Sequence, residues 1–470
     1  MQGAVWSLGV AALLAVVQFS CGTDPLFPDD DGADIVSYGS IGRLDGVTVN
    51  GTRFDTSGAE ILIGGERASH ADLQIGMVVR LTGNEDDDAV TASRVEYDRT
   101  LAGPITSIDR VNRRFVVLGR TVAVLPDTGI DGGEFDSLAV DDRVEVSGLI
   151  DADDVVRARY IAKRERIPFE LEGRIGNLDA FNSTLYIGAQ AVDYSTATLR
   201  GFSAGGPTTG QWVDVRGPSL INGVLRASVV ELKDGTLAAS GRRVELEGIV
   251  GAVDAGGSFL VGSQWVRTDS ATRWLPSGTG FLNLETNIRA RVEGRVETGG
   301  VVRASRVELE PLADSEVLAQ LDAIDADAGT VTALGRRLTV TDRTLLEDRS
   351  ASAARPFDFA DLRSGDWVRV GGYVDAQDRF IAVRLERRDA PAALRLEGSA
   401  SDIAQPELRV AGVRVQTHGG TVFRDLAGNR VSQSQFFSQL TLAPGLGVRI
   451  SGERLGNTVR AREAWLRGTL

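Results

Sequence analysis

Phe115-Val116-Val117-Leu118-Gly119-Arg120-Thr121-Val122-Ala123-Val124 is two β-rich runs turned about one glycine. Glycine at that point supplies the positive φ that a tight hairpin needs, so the stretch predicts a two-stranded unit. The same signature returns with Gly51, Gly188, Gly262, Gly335 and Gly412 at the turn. A hairpin that recurs at a regular interval marks a repeat, and repeats decide the fold before anything else does.

Landmarks on either side of the hairpin recur in the same order. Before it comes G-x-(I/V)-x-x-(L/I/V)-D, as in Gly39 to Asp45, Gly103 to Asp109, Gly173 to Asp179 and Gly248 to Asp254. Weaker copies run from Ala319 to Asp325 and from Gly398 to Ala404. After the hairpin most copies place a threonine before a variable stretch: Thr128, Thr198, Thr272, Thr344 and Thr421. An L-x-x-(G/D) segment follows, such as Leu73 to Gly76, Leu138 to Asp141 and Leu362 to Gly365, and predicts a short helix or turn. It leads into a V-x-V-x-G strand, seen at Val79 to Gly83, Val144 to Gly148, Val213 to Gly217, Ala290 to Gly294, Val368 to Gly372 and Val448 to Gly452. A closing strand ends each copy, as in Val302 to Glu308.

Six copies of one all-β unit follow. In Val144-Glu145-Val146 and Val368-Arg369-Val370 apolar and charged residues alternate, which predicts one buried face and one wet face. So short a unit cannot fill two sheets, and curling into a barrel removes open edges. The expectation is a tandem array of six small OB-like barrels of five or six strands each. The copies span residues 36–98, 99–166, 167–234, 242–311, 316–388 and 393–470. With short links, barrels of about 28 Å each would form an elongated rod of roughly 150 Å.

The first residues read as an address. Val5 to Val17 is apolar except for Ser7 and Gly9, a length suited to a signal peptide over residues 1–20. Phe19-Ser20-Cys21-Gly22 resembles the lipobox of bacterial lipoproteins, which implies cleavage before Cys21 and lipidation of its thiol. Gln18 departs from the usual leucine, and the stretch before Val5 carries no basic residue. Residues 21–35 read as an acidic tether. Gly22, rather than aspartate, after the cysteine implies an outer-membrane lipoprotein facing the periplasm or the cell surface. A soluble secreted or periplasmic protein is the alternative.

Net charge is −14, a field that repels phosphate backbones, so nucleic acid is not expected as a partner. One cysteine forbids an intrachain disulfide. Two histidines far apart in sequence, His70 and His418, argue against zinc and against Ser-His-Asp or Cys-His chemistry. No catalytic residue, cofactor or metal is expected. The recurring Asp45, Asp109, Asp179, Asp254 and Asp325 read as turn formers. Arg157, Arg226, Arg303 and Arg460 read as the wet face of the closing strand. Trp265 and Trp274, nine residues apart in copy four, are the aromatic pair chosen as candidate ligand-binding residues.

The G-x-I-x-x-I-D opening, the L-x-x-G-x-x-V-x-V-x-G centre and the R-A-x-x-V-E close resemble a bacterial family, domain of unknown function 5666. The resemblance covers Gly39 to about Leu466. It implies tandem repeats in an exported protein and supplies no catalytic residues. The expected role is a non-enzymatic, envelope-tethered spacer or protein-interaction lipoprotein, anchored in the membrane by lipid and meeting an envelope protein or glycan. The alternative is an extracytoplasmic protein that binds a glycan or small molecule through the variable loops.

Overall fold

A computed structural model describes residues 34–86, 89–233, 237–443 and 445–468. Barrel five shows the unit at its plainest. Its opening strand, Ser315–Asp325, pairs antiparallel with the first hairpin strand, Thr330–Ala333. That strand pairs with Arg336–Thr339, which lies parallel to the closing strand Phe380–Arg388. The closing strand pairs antiparallel with the central strand Trp367–Val374, and the central strand returns to the opening one. The circuit is therefore closed, with five strands and one parallel junction, and a short strand, Leu345–Asp348, extends that junction. A closed circuit removes the sheet edges that an open seventy-residue sheet would expose.

The recurring residues explain the recurring geometry. Hairpin glycines Gly51, Gly119, Gly188, Gly262, Gly335 and Gly412 all have positive φ, between 54° and 89°. The residue that ends L-x-x-(G/D) also has positive φ at Gly76, Asp141, Gly210, Asn287 and Gly365. In each of these its backbone N–H donates to a carbonyl of the opening strand, as from Gly365 to Leu321. Most copies make a single 3-10 turn before that residue, such as Phe359–Asp361. Barrel six instead carries an α-helix, Gln433–Leu442, capped by Ser432 and filled in by Phe436, Phe437 and Leu440.

The conserved glycine of the central strand sits at a β-bulge, as at Glu293/Gly294 and Gly371/Gly372. A Cβ there would lie 2.0–2.6 Å from a carbonyl oxygen of the closing strand in all six copies. Bulges bend a strand and increase its twist, which is what closing so small a barrel requires. Inward residues of all six barrels are almost wholly buried and form separate cores for barrels one and four, with shared cores for two with three and five with six.

The barrels do not line up as a rod. Opening strands of distant copies pair directly: Ile35–Arg43 of barrel one lies parallel to Arg243–Val253 of barrel four. Barrel two joins barrel three through Leu101–Asp109 and Phe169–Asp179, and barrel five joins barrel six through Ser315–Asp325 and Leu394–Ala404. Barrel two also packs on barrels one, four, five and six, so the six form a cluster around it. The expected elongated rod is thus corrected. The cause is a second correction: the charged face assigned to water is buried. Glu145 is 3% exposed and Arg369 6%. Within its own barrel Glu145 pairs with Arg99 and Arg164, and Arg369 with Glu316 and Glu386. The Tyr97 hydroxyl of barrel one and two carbonyls of barrel two complete their hydrogen bonds, and buried charges need such partners.

Candidate functional site

Each central strand turns one residue outward between two inward apolar residues, flanked on the neighbouring strands by directly opposite residues. This three-residue rung lies on the outer face of the barrel. In barrel four it reads Glu247, Arg291, Glu308. In barrel five it reads Leu318, Arg369, Glu386, and in barrel six Glu397, Arg449, Trp465. In barrel one it reads Tyr38, Arg80, Glu96. The central guanidinium is the counter-ion of its own rung. Arg369 donates to Glu316 at 2.8 Å and Glu386 at 3.4 Å, and Arg449 donates to Glu397 at 2.8 Å.

The same arginines fasten barrels together. Arg369 donates to the carbonyls of Pro126 and Thr128 in barrel two, at 2.9 and 3.3 Å. Gly371 beside it has no side chain because Pro126 O would stand 2.2 Å from a Cβ. Arg159 of barrel two pairs with Asp127 and donates to Ser40 of barrel one at 3.0 Å, while the Ser40 N–H donates to Glu247 of barrel four at 2.9 Å. Burial opposes ionisation of Glu247, yet Arg159, Arg291 and Arg289 hold its carboxyl down to about 2.

Barrels one to four enclose a cavity of about 200 Å³ where their outer faces meet. One wall carries the apolar Val78, Leu149, Ile150, Leu237, Ile249 and Val261, together with Arg80, Glu96, Asp98 and Glu247. The other is the outer face of barrel three, with Glu172, Trp212, Asp214, Arg216, Glu231 and Lys233. Trp212 Nε1 donates to Glu172 at 2.8 Å. Arg216 donates to Asp214 at 2.7 Å, to Glu231 at 2.6 Å and to the Gly64 carbonyl of barrel one at 2.9 Å. Lys233 donates to Asp98 of barrel one at 3.1 Å. Burial pushes the Asp214 carboxyl up to about 7 against the pull of Arg216 and Lys233. Burial also raises Glu172, and raises the adjoining Glu170 well above the carboxylate range.

The residues singled out from sequence fall elsewhere. Trp274 packs its ring on Phe259, centroids 6.3 Å apart, in the core of barrel four. Trp265 lies on the opposite, outer side of the same hairpin and is 41% exposed, so the two do not share a surface. Asp109, Asp179, Asp254 and Asp325 accept backbone N–H groups of the following turn, and Asp45 pairs with Arg53. Arg157, Arg226, Arg303 and Arg460 each face a carboxylate. His70 bonds the Gly46 carbonyl in barrel one, and His418 Nδ1 accepts from Gly420 in barrel six. Cys21, with the residues read above as a signal peptide and most of those read as a tether, lies outside the described residues. Among the described residues no cluster of His, Cys, Asp and Glu could hold a metal ion, and no helix is long and apolar enough to cross a membrane.

Sequence reasoning missed Glu172, Asp214 and Glu231. The available signal was the middle residue of V-x-V, which is arginine in copies one, four, five and six and aspartate in copy three.

Fold and site together define a class: a tandem-repeat, all-β protein of small closed five-stranded barrels. The family described as "Domain of unknown function (DUF5666)" matches residues 102–162, 172–231, 247–308, 320–386 and 397–463, and the chain belongs to it. Barrel one lies outside the matched stretches yet closes by the same strand circuit. No curated protein matches the chain in sequence. Among solved structures, one titled "drosophila Unr CSD456" is similar at 15% identity over 47% of this chain and 98% of that one, with a TM-score of 0.12.

Proposed function

We infer that this is a non-enzymatic binding protein of the cell envelope, tethered through Cys21, whose ligand seats in the cavity among barrels one to four. The observation that carries this reading is the cavity's composition: apolar side chains from barrels one, two and four, with Arg80, Glu96, Asp98 and Glu247 among them, face the polar, charged outer face of barrel three. Small-molecule sites have this mixture of apolar lining and few directed polar groups. The spacer role rested on extension, and a cluster provides little reach. A binder rather than an enzyme is supported by the separated histidines and the single cysteine of the sequence. Export and the anchor rest on the first twenty-one residues.

Two experiments test this. Mass spectrometry of the mature N-terminus, with fractionation of wild type and Cys21→Ala, should find a lipidated Cys21 and release of the variant from the membrane. A soluble wild-type chain starting elsewhere would remove the tether. A thermal-shift screen of small molecules should yield stabilising ligands whose effect disappears when Leu149→Trp fills the cavity. Ligands that stabilise both forms equally would place binding elsewhere.

A further inference from the structure

Barrel three breaks the charge pattern of its siblings at the wall of the cavity. Its rung reads Glu172, Asp214, Glu231: three carboxylates directly opposite one another on adjacent strands. Like charges so placed are destabilising. Barrel two also has an acid at the central position, Glu145, but alanines stand on both sides of it. That acid is served by Arg99, Arg164 and the Tyr97 hydroxyl. In barrel three the nearby cations are shared. Arg216 is divided among Asp214, Glu231 and, at 3.8 Å, Glu170, and Lys233 spans Asp98 and Glu231. Asp214 is 1% exposed and, among the described residues, its Oδ1 has no hydrogen-bond partner, although the residue lines the cavity. Among the described residues Glu172 takes its only side-chain hydrogen bond from Trp212 and has no ion pair.

Resting on the binding reading above, we propose that the cavity takes a small organic cation, an ammonium or guanidinium on a short apolar body, whose charge occupies the rung of barrel three where four sibling barrels carry their own arginine. The cation lies against Glu172 and Asp214, with the Trp212 ring beside it and the apolar body against Leu149 and Ile249. Buried carboxylates that share too few counter-ions and an aromatic neighbour are the features that select a desolvated cation over a neutral or anionic ligand. Burial raises the carboxyl pKa at both Asp214 and Glu172, which agrees with a shortage of positive charge beside them.

Calorimetric titration of the full mature protein with n-butylguanidinium, n-butylammonium, n-butanol and n-butyrate at pH 7.5 tests this. Both cations should bind and the alcohol and the acid should not. Asp214→Arg, which installs the residue of barrel four, should abolish binding and keep the β-sheet circular dichroism. Glu172→Gln and Asp214→Asn should each weaken binding about thirtyfold or more, which also covers the case that the arginine variant fails to fold. Binding of n-butanol or n-butyrate as tight as that of the cations, blocked by Leu149→Trp, would overturn the charge inference and leave the cavity as a binding site. Cation binding unchanged by Asp214→Asn and Glu172→Gln would overturn it as well. No binding by any of the four, together with no cavity-dependent hit in the wider screen, would overturn both.

Discussion

A Cβ at Gly372 would stand 2.0 Å from the Ile381 carbonyl, and at Gly294 2.3 Å from the Arg303 carbonyl. Neither strand can yield without opening the bulge. Gly372→Ala and Gly294→Ala should each cost about 2–3 kcal/mol in denaturant unfolding. Gly132→Ala, where a Cβ meets open space and only the positive φ is strained, should cost about 1 kcal/mol. The V-x-V-x-G glycine was legible as a pattern, but its reason is a carbonyl on another strand. Asp214 carries the opposite lesson for stability. Its carboxyl is raised in the fold, so its contribution is favourable below the unfolded value near 3.8 and is lost as pH rises through about 7. Asp214→Asn should therefore stabilise the unliganded protein by ~2 kcal/mol at pH 8, with the gain shrinking toward zero by pH 4. Thermal melts across that range check it. Stability given up at one buried acid is what a binding residue costs.

Between hairpin and central strand, one threonine pins the variable stretch in barrels two, four, five and six. Thr344 Oγ1 accepts the Thr341 N–H at 2.9 Å and donates to the Ala382 carbonyl of the closing strand at 2.8 Å. Thr128, Thr272 and Thr421 make the same pair of bonds. Thr344→Val should cost about 1–3 kcal/mol, because a buried N–H and carbonyl lose their partner. Thr198 is exposed and lies in a short strand without this bond, so Thr198→Val should be neutral in the same unfolding assay. The recurrence of threonine could be read in sequence, whereas its partner three residues back and its acceptor on the last strand could not. The helix Gln433–Leu442 was unread for a related reason: it replaces a single turn in one copy only, so the repeat hid it.

Pairing of barrel one with barrel four, and the gathering of barrels around the second, set the overall dimensions. Small-angle scattering of the mature protein should give a radius of gyration of about 23 Å from compactness scaling, where a rod of six barrels would exceed about 40 Å. A value near the latter would break the barrel one–four sheet and with it the cavity. The cluster is held by ion pairs buried between barrels, such as Arg159 with Glu247 and Arg113 with Glu397, rather than by one continuous apolar core. Such pairs lose heavily when one partner is removed, which makes them better suited to fixing orientation than to adding stability.

The sequence by itself determined the unit: period-two strands, a glycine hairpin and closing motifs repeated in order specify a small closed barrel, because strand period and turn chemistry are local. The presence of six copies was an equally local reading. Only the tertiary structure decided which barrels meet, that the alternating charges are buried, and that Glu172, Asp214 and Glu231 share one rung beside a cavity. Alternation tells which residues leave the barrel core, but the same pattern serves water or a neighbouring barrel. That choice depends on which residues of another barrel, as in the pairs of Arg113 with Glu397 and Arg395 with Glu134, come to stand against the outer face.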